Sequence, residues 1–332
     1  MKKILMLATG GTIASLETQQ GLSPAITSEE ILACVPEIRE SCSVETLQLM
    51  NLDSTNIRPD DWIRMAEAVR ENYEAFDGFV ITHGTDTMAY TAAALSYLIQ
   101  HSVKPVIITG AQKPISLKDT DARVNLRDSF LYAVDDRSHD VSLIFDGKVI
   151  LGTRARKERT KSYNAFSSVD FPEIAVIRDG KLIRYLEETK YRADDAPVFY
   201  RRLGTRVAVL TLIPGIDAAA VRSLKENHDA LIIQSFGVGG LPGGGDGPLA
   251  RAMQEWLTEE KPVVITTQVP YEGSDMSVYR VGVEIREKYP IIEAYNMTLE
   301  AVTAKLMWAM GLGGGLEEVR RAFGRPVGYD IL

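Results

Sequence analysis

Short continuous apolar runs that end in glycine-containing turns are the feature that most limits how this chain can fold. Ile4 to Ala8 and Phe79 to Ile81 are two such runs, and Pro105 to Thr109 is a third. Runs of this length without polar alternation are typical of strands buried on both faces of a parallel sheet. Because stretches with helical periodicity lie between them, the pattern predicts an α/β fold.

One helical stretch shows the periodicity clearly. Pro59 is suited to a helix start, and apolar side chains then recur at spacings of three and four residues from Trp62 to Tyr73. Thr27 and Glu30 form a capping-box signature for a preceding short helix. The same reading predicts further strands at 44–49, 141–145, 207–212, 230–233 and 263–266, and further helices at 121–134, 217–227 and 249–259.

The length of 332 residues exceeds the size at which one hydrophobic core usually stops growing, so two domains are expected. The stretch Glu187 to Pro197 is polar and without a clear period, which favours a linker. We predict two α/β domains: residues 1–187 form a larger N-terminal domain with a mostly parallel sheet flanked by helices, 188–205 form the linker, and 206–332 form a smaller C-terminal α/β domain.

The composition argues against several classes of partner. A formal net charge of −8 gives no general attraction to nucleic acid or to anionic membranes. The two cysteines are too few for a disulfide framework, and no cluster has metal-ligand spacing, so we expect no metal and no cofactor. No stretch is long and apolar enough to span a bilayer, and Ile4 to Ala8 is too short for a secretion signal. We therefore expect a cytoplasmic protein.

Two hydroxyl-bearing loops follow two of the predicted strands. Thr9-Gly10-Gly11-Thr12-Ile13-Ala14-Ser15 comes after the first apolar run, and His83-Gly84-Thr85-Asp86-Thr87 comes after the run at Phe79. Ligands of open α/β sheets bind outside the carboxyl ends of the strands, so we expect Thr12 and Thr85 to converge there. Glycines in the first loop allow a sharp turn and a close approach to a ligand.

Three further segments accompany them. Leu52-Asp53-Ser54-Thr55 lies between the two loops, and after them come Gly110-Ala111-Gln112 and Lys157 with the segment Asn164-Ala165-Phe166-Ser167-Ser168. Together with the two loops they resemble the signature segments of the bacterial-type L-asparaginases, and the resemblance covers the whole chain. It implies hydrolysis of L-asparagine, a small-molecule substrate, to L-aspartate and ammonia through a threonine acyl-enzyme. The catalytic residues that it implies are Thr12, Thr85, Asp86 and Lys157. The substrate-binding residues that it implies are Gly11, Asp53, Ser54, Thr55, Gly84, Thr85, Asp86 and Ala111.

The chemistry of these residue types agrees with that implication. A threonine hydroxyl is a poor nucleophile until a base accepts its proton, and Lys157 is a candidate base. Arg154, Arg156 and Arg159 lie beside it in sequence, and nearby cationic groups lower a lysine pKa. We take Thr12 as the attacking residue, with water activated later through Thr85 and Lys157. Backbone N–H groups around Gly11 and Thr85 would stabilise the oxyanion.

Each of these residues also has a purely structural interpretation. Thr12 and Thr85 could cap helices, and Asp86 could complement a helix dipole. Asp53 could form only an Asx-turn, and most basic runs like that around Lys157 are solvated surface. For His83, directly after a strand, we favour a structural hydrogen bond over a catalytic role.

The chain departs from the family pattern at some positions. Leu22 stands where many relatives carry a tyrosine that contacts the attacking threonine, and Gly240 stands where many carry a substrate-contacting asparagine. Selectivity between asparagine and glutamine is therefore open. Arg156, Gln234 and Val269 replace residues that resemble the allosteric set of cytoplasmic members, so we predict no activation by asparagine.

Two glycine-rich loops, Gly237 to Gly245 and Gly311 to Gly315, lack the ending of a phosphate-binding loop, which favours tightly turning or mobile loops. In the family, the first of these loops approaches the active site of a neighbouring subunit. The resemblance thus implies a homo-oligomer, either a homodimer or a homotetramer built from two dimers.

Three functions compete at this point. The first is L-asparagine amidohydrolase. The second is the asparaginase-like subunit of a tRNA-dependent amidotransferase, which releases ammonia for a partner. The third is a non-catalytic amino-acid-binding module in which Asp86 and Ser54 hold the charged ends of the ligand. Ammonia release from free asparagine separates the first from the third, and dependence on tRNA identifies the second.

Overall fold

The structure, a computed structural model, describes residues 1–18, 21–186 and 196–332, without the side chains of 17, 18, 21–24 and 281. The chain forms two compact units, Met1–Arg201 (unit 1) and Arg202–Leu332 (unit 2). Most of the predicted linker, residues 188–195, lies outside the described residues.

Unit 1 contains fourteen strands and five α-helices among its described residues. In chain order they are β1 (Lys3–Gly10), β2 (Ser15–Thr18), β3 (Gly21–Pro24), α1 (Ser28–Ala33), α2 (Ile38–Ser41), β4 (Ser43–Leu52), α3 (Pro59–Asn72), β5 (Gly78–Thr82), α4 (Met88–Leu98), β6 (Ile99–Gln100), β7 (Val106–Thr109), α5 (Ala122–Ala133), β8 (Val141–Phe145), β9 (Lys148–Leu151), β10 (Ala155–Lys157), β11 (Phe166–Ser168), β12 (Ala175–Arg178), β13 (Lys181–Arg184) and β14 (Val198–Phe199). Short 3-10 turns at Thr12–Ala14 and Ser54–Asn56 follow β1 and β4.

The main sheet of unit 1 has eight strands in the order β13-β12-β9-β8-β7-β5-β1-β4. The five strands β4, β1, β5, β7 and β8 pair in parallel, whereas β9, β12 and β13 join the β8 edge antiparallel. Within the parallel part, β1 lies between β4 and β5. Along the chain, β4 is the next strand of this sheet after β1, and β5 comes after β4. The direction of strand addition therefore reverses between β1 and β5, which makes this pair a topological switch point.

Local sequence explains why these elements form. The parallel strands β5, β7 and β8 are buried along their whole length, as the continuous apolar runs require. Helix α1 carries the predicted capping box between Thr27 and Glu30. Helix α3 begins with Pro59 and buries Trp62, Met65, Ala66, Ala68 and Val69. The predicted strands and helices of unit 1 are thus confirmed.

Unit 2 has a sheet of its own. Its elements are β15 (Val207–Thr211), α6 (Ala218–Lys225), β16 (Ala230–Ser235), α7 (Pro248–Thr258), β17 (Val263–Thr267), α8 (Arg280–Lys288), β18 (Ile292–Glu293), α9 (Leu299–Gly311) and α10 (Leu316–Gly324). The four strands pair in parallel in the order β15-β16-β17-β18. The predicted fold class of two α/β domains is confirmed, with the refinement that the larger sheet is mixed.

The first glycine-rich loop of unit 2 turns sharply. Gly237, Gly239, Gly243 and Gly244 all have positive φ angles. Residues other than glycine rarely adopt this backbone conformation, so the composition of the loop follows from its path.

Candidate active site

The loops that follow β1 and β5 meet at the switch point of the sheet. A Cβ atom added to Gly11 would lie 2.3 Å from the backbone nitrogen of Gly84, and Gly11 has a φ of +78°. Only glycine allows both this conformation and this approach. Thr12, which directly follows Gly11 and is partly exposed, is thereby held next to the Gly84–Thr85 segment.

A third loop, after β4, supports the second. The Asp86 N–H donates a hydrogen bond to Ser54 Oγ at 3.3 Å, and the Thr87 hydroxyl donates to the Ser54 carbonyl oxygen at 2.7 Å. A Cβ atom on Gly84 would lie 2.6 Å from Ser54 Oγ. Ser54 is buried and therefore fixes the backbone on which Thr85 and Asp86 sit.

Lys157 comes from a separate hairpin and reaches both residues of the second loop. Its Nζ donates to Thr85 Oγ1 at 2.7 Å and forms an ion pair with Asp86 Oδ1 at 2.6 Å. Lys157 ends β10, which pairs antiparallel with β11. The ammonium group is largely shielded from solvent, whereas the Asp86 carboxylate is mostly exposed. A cation, a hydroxyl and an accessible carboxylate thus share one cluster.

The arginines near Lys157 in sequence have other partners. Arg154 is fully buried, donates to the Val169 carbonyl oxygen at 3.4 Å and lies over the Phe171 ring. Arg159 donates to the Asn164 carbonyl oxygen at 3.0 Å. Side chains alternate along a strand, so the neighbour Arg156 projects from the opposite face to Lys157. The contacts therefore give no support to the hypothesis that these arginines crowd Lys157.

Gln112 is a further residue of this cluster, and the sequence alone gives it no role. Its Oε1 accepts the Thr85 hydroxyl at 3.2 Å, and its Nε2 donates to the carbonyl oxygens of Arg159 and Ser162 at 3.3 and 3.1 Å. The glutamine amide thus joins Thr85 to the loop after β10. The only sign of a role for Gln112 in the sequence is its place in the segment Gly110-Ala111-Gln112.

The loop that carries Gln112 is fixed by a buried carboxylate. Asp121 accepts the backbone N–H groups of Gln112 and Lys113, and Asn125 donates to both Asp121 and the Gly110 carbonyl oxygen. Burial raises the pKa of Asp121, and these N–H groups oppose that rise. Ala111, within the same loop, is fully buried.

Two backbone donors of the cluster, the N–H groups of Thr12 and Thr85, have no acceptor among the residues that the structure describes. They belong to the two loops that touch at Gly11 and Gly84. Paired N–H groups of this kind can bind an oxyanion.

The structure also bears on the structural interpretations. Thr85 does not cap α4, because the helix has Thr87 at its N-cap and begins at Met88, so the capping interpretation of Thr85 is wrong. Asp53 Oδ1 accepts both the N–H and the hydroxyl of Thr55, as in an Asx-turn. The structural hydrogen bond expected for His83 is confirmed. The Leu22 side chain lies outside the described part.

Metal-binding clusters and membrane-spanning helices are both absent from the described part of the chain. No group of three or more His, Cys, Asp or Glu side chains there could hold a metal ion. No helix among the same residues has the length and apolar character that crossing a membrane requires.

Comparisons with known proteins agree with one another. The family described as "Asparaginase, N-terminal" matches residues 3–190, and the "Glutaminase/Asparaginase C-terminal domain" matches residues 206–323. The L-asparaginase of Thermococcus kodakarensis is 38% identical over 334 residues, which cover 99% of both chains. The solved structure of the thermostable L-asparaginase from that organism superposes with a TM-score of 0.92 at 37% identity, again over 99% of both chains. A glutamyl-tRNA(Gln) amidotransferase subunit of Pyrococcus horikoshii is 32% identical over 96% of this chain and 74% of its own length.

Proposed function

This chain belongs to the asparaginase family, and we propose that it is an amidohydrolase that converts L-asparagine to L-aspartate and ammonia. The observation that carries the proposal is the contact of Lys157 Nζ with both Thr85 Oγ1 and Asp86 Oδ1, at 2.7 and 2.6 Å. Thr85 and Asp86 belong to the loop whose Gly84 lies against Gly11. Gly11 directly precedes Thr12. Two hydroxyls, an amine and a carboxylate are the groups that a threonine acyl-transfer reaction needs.

The first half of the proposed reaction forms an ester. Thr12 Oγ1 attacks the side-chain amide carbon of asparagine, and the resulting oxyanion is bound by the Thr12 and Thr85 N–H groups. Removing one such donor commonly costs about 100- to 1,000-fold in kcat. The C–N bond then breaks, and the proton from the Thr12 hydroxyl leaves with the nitrogen as part of ammonia.

The second half hydrolyses the ester. A water molecule placed by Thr85 and Lys157 attacks the acyl carbon, its proton returns to Thr12 Oγ1, and aspartate is released. The Lys157 contact with Thr85 supports this assignment, because it joins the two groups to which the placing of the water is assigned.

The α-ammonium and α-carboxylate groups of the substrate each need a binding partner of opposite charge or a suitably oriented dipole. We assign the α-ammonium to Asp86, whose carboxylate is mostly exposed and therefore accessible to a ligand. We assign the α-carboxylate to Ser54, whose hydroxyl contacts the same loop. Asp53 and Thr55 contribute by shaping the turn around Ser54, since their side chains bind each other.

The proposed function is tested by measuring ammonia release from L-asparagine, L-glutamine and D-asparagine. We expect turnover of L-asparagine, and a loss of about 1,000-fold or more in kcat for Thr12→Ala and Lys157→Met, because catalytic groups that act as a unit fail together. Lys148→Met is the matched control, since Lys148 is a half-buried strand lysine that pairs with Glu173. Normal turnover by Thr12→Ala would refute Thr12 as the nucleophile.

The amidotransferase-subunit function is a second candidate, supported by the similarity to the Pyrococcus amidotransferase chain. That relative is 32% identical to this chain, whereas the Thermococcus L-asparaginase is 38% identical, which favours the first candidate. Ammonia release that requires tRNA and a partner protein would support the second. Tight binding of asparagine without any ammonia release would support the amino-acid-binding module.

We also propose a cytoplasmic homo-oligomer, either a dimer or a dimer of dimers. Ile4 to Ala8, the run closest to a secretion signal, lies buried in β1, an inner strand of the main sheet, and so serves the fold. Unit 2 exposes several large apolar side chains, as surfaces that associate often do: Val209, Ile213, Val269, Tyr271, Val278 and Tyr279. Cell fractionation tests the cytoplasmic location, and light scattering coupled to size-exclusion chromatography tests the oligomeric state.

A further inference from the structure

A chain of buried hydrogen bonds ends on the peptide bond that joins Gly84 to Thr85. Trp62 Nε1 donates to Thr91 Oγ1 at 3.0 Å, Thr91 Oγ1 contacts His83 Nε2 at 3.0 Å, and His83 Nδ1 contacts the Gly84 carbonyl oxygen at 2.7 Å. Trp62, Thr91 and His83 are all buried, and the first two lie on helices α3 and α4.

The direction of every bond in this chain is fixed. An indole N–H can only donate and a carbonyl oxygen can only accept. Burial lowers the pKa of His83 to about 4, so the ring is neutral near pH 7 and carries one proton. That proton lies on Nδ1, because the Gly84 carbonyl needs a donor. Nε2 then accepts the Thr91 hydroxyl, which in turn accepts from Trp62. A single tautomer satisfies all four groups.

The Gly84 carbonyl belongs to the same amide group as the Thr85 N–H. A hydrogen bond accepted by the carbonyl polarises the amide and strengthens its N–H as a donor, since hydrogen bonds in a chain reinforce one another. The Thr85 N–H has no acceptor among the described residues. The chain of bonds therefore ends at a donor that is available to a ligand.

We infer that His83 is a positioning residue for the asparagine amidohydrolase reaction: its Nδ1–H holds and polarises the Gly84–Thr85 peptide so that the Thr85 N–H stabilises the oxyanion, and Trp62 and Thr91 hold His83 in the required tautomer. This inference rests on the proposed function. His83 itself transfers no proton and does not touch the reacting atoms.

Two substitutions of His83 separate the roles of its nitrogens. The amide nitrogen of His83→Asn falls near the position of Nδ1 and can still donate to the Gly84 carbonyl. The amide of His83→Gln reaches the position of Nε2 and loses that donor. We expect kcat to fall about tenfold or more for His83→Gln with KM within about twofold, since a weakened oxyanion donor acts mainly on the transition state. His83→Asn is expected to retain most of the kcat.

Thr91 gives a second matched pair. Thr91→Val keeps the shape but removes the hydroxyl that fixes the tautomer, whereas Thr91→Ser keeps the hydroxyl. We expect kcat to fall severalfold for Thr91→Val, again with KM nearly unchanged, and to be rescued by Thr91→Ser. Thermal unfolding of each variant, followed by circular dichroism, establishes that it is folded. Wild-type kcat in both His83→Gln and Thr91→Val would overturn the inference.

The tautomer can be measured without any variant. In protein labelled with ¹⁵N-histidine, we expect the His83 ring to carry its proton on Nδ1 and to show no titration between about pH 5.5 and about pH 8, since its pKa lies near 4. A proton on Nε2, or a titration in that range, would overturn the inference even if the variants did not fold. If the wild-type protein released no ammonia from asparagine, the proposed function would fail, while this measurement would still decide the state of His83.

Discussion

Asp128 on α5 is 3% exposed, and burial raises the pKa of its carboxyl group from 3.8 to about 6. Arg127, 3.8 Å away, opposes this rise in part. Between about pH 4 and pH 6 the folded protein therefore binds a proton that the unfolded chain has already lost. Stability contributed by the protonated carboxyl is present at low pH and decreases as the pH rises toward 6.

We predict that Asp128→Asn raises the free energy of unfolding at about pH 7.5 by about 2 kcal/mol, because a neutral amide avoids the cost of a buried charge. The gain should vanish near pH 4, where the wild-type carboxyl is itself neutral. Urea unfolding at both pH values checks this, with Asp136→Asn at an exposed position as the control. A gain of the same size at both pH values would contradict the assignment to ionisation.

Residues of the candidate site could be predicted from the sequence where they lie next to each other in one loop at the end of a strand. Thr85 and Asp86 are such residues, and Lys157, which the family resemblance implies, contacts both of them. Gln112 received no role, because its role depends on which hydroxyl its amide meets after folding. The surroundings of Lys157 could not be predicted either, since adjacency in sequence does not give the direction of a side chain.

At the scale of elements, the contact between the loops after β1 and β5 depends on glycine. Gly11 and Gly180 share a positive φ, of +78° and +70°, but a Cβ on Gly180 would meet nothing within 4 Å. Gly180 therefore shows the cost of a positive φ without crowding.

We predict that Gly180→Ala lowers the free energy of unfolding by about 1 kcal/mol from backbone strain alone and leaves activity unchanged. Gly11→Ala should lower it further and abolish ammonia release, since its Cβ would displace the Gly84 backbone. Thermal melting and the ammonia assay measure both effects. Equal behaviour of the two variants would show that the loops do not depend on this contact.

The sequence predicted the parallel strands of unit 1 but not the antiparallel strands β9, β12 and β13. A usable signal was present, because Asp146-Gly147 joins β8 to β9 and Asp179-Gly180 joins β12 to β13, with positive φ at all four residues. Asp-Gly pairs of this conformation form two-residue hairpin turns. The strands themselves are only four residues long, too short for a periodic pattern to identify them.

At the scale of the whole molecule, each unit has its own hydrophobic core. In unit 2, a fully buried ion pair joins Lys305 of α9 to Asp330, with Nζ and Oδ2 at 2.6 Å. Burial lowers the pKa of Lys305, and Asp330 opposes that change. The pair thus connects the last residues of the chain to the interior of unit 2.

We predict that Asp330→Asn lowers the free energy of unfolding of unit 2 by about 3–5 kcal/mol, because an ammonium group remains buried without its counterion. The double variant Lys305→Met/Asp330→Asn should recover much of this loss. Tryptophan fluorescence during urea unfolding is a suitable measurement, since Trp256 and Trp308 lie in unit 2. Glu284→Gln, which removes an exposed ion pair with Arg280, is the control and should change little. A double variant as unstable as the single one would contradict the explanation.

The hydrogen bond from the Thr9 hydroxyl to the Thr82 carbonyl oxygen joins β1 to β5 across 73 residues of chain. Closing so long a segment is slow compared with forming a helix, because chain entropy is lost before the strands gain contacts. During renaturation, helical signal should therefore return before enzymatic turnover does. The time at which turnover reappears would then report the late step in which the loops after β1 and β5 meet.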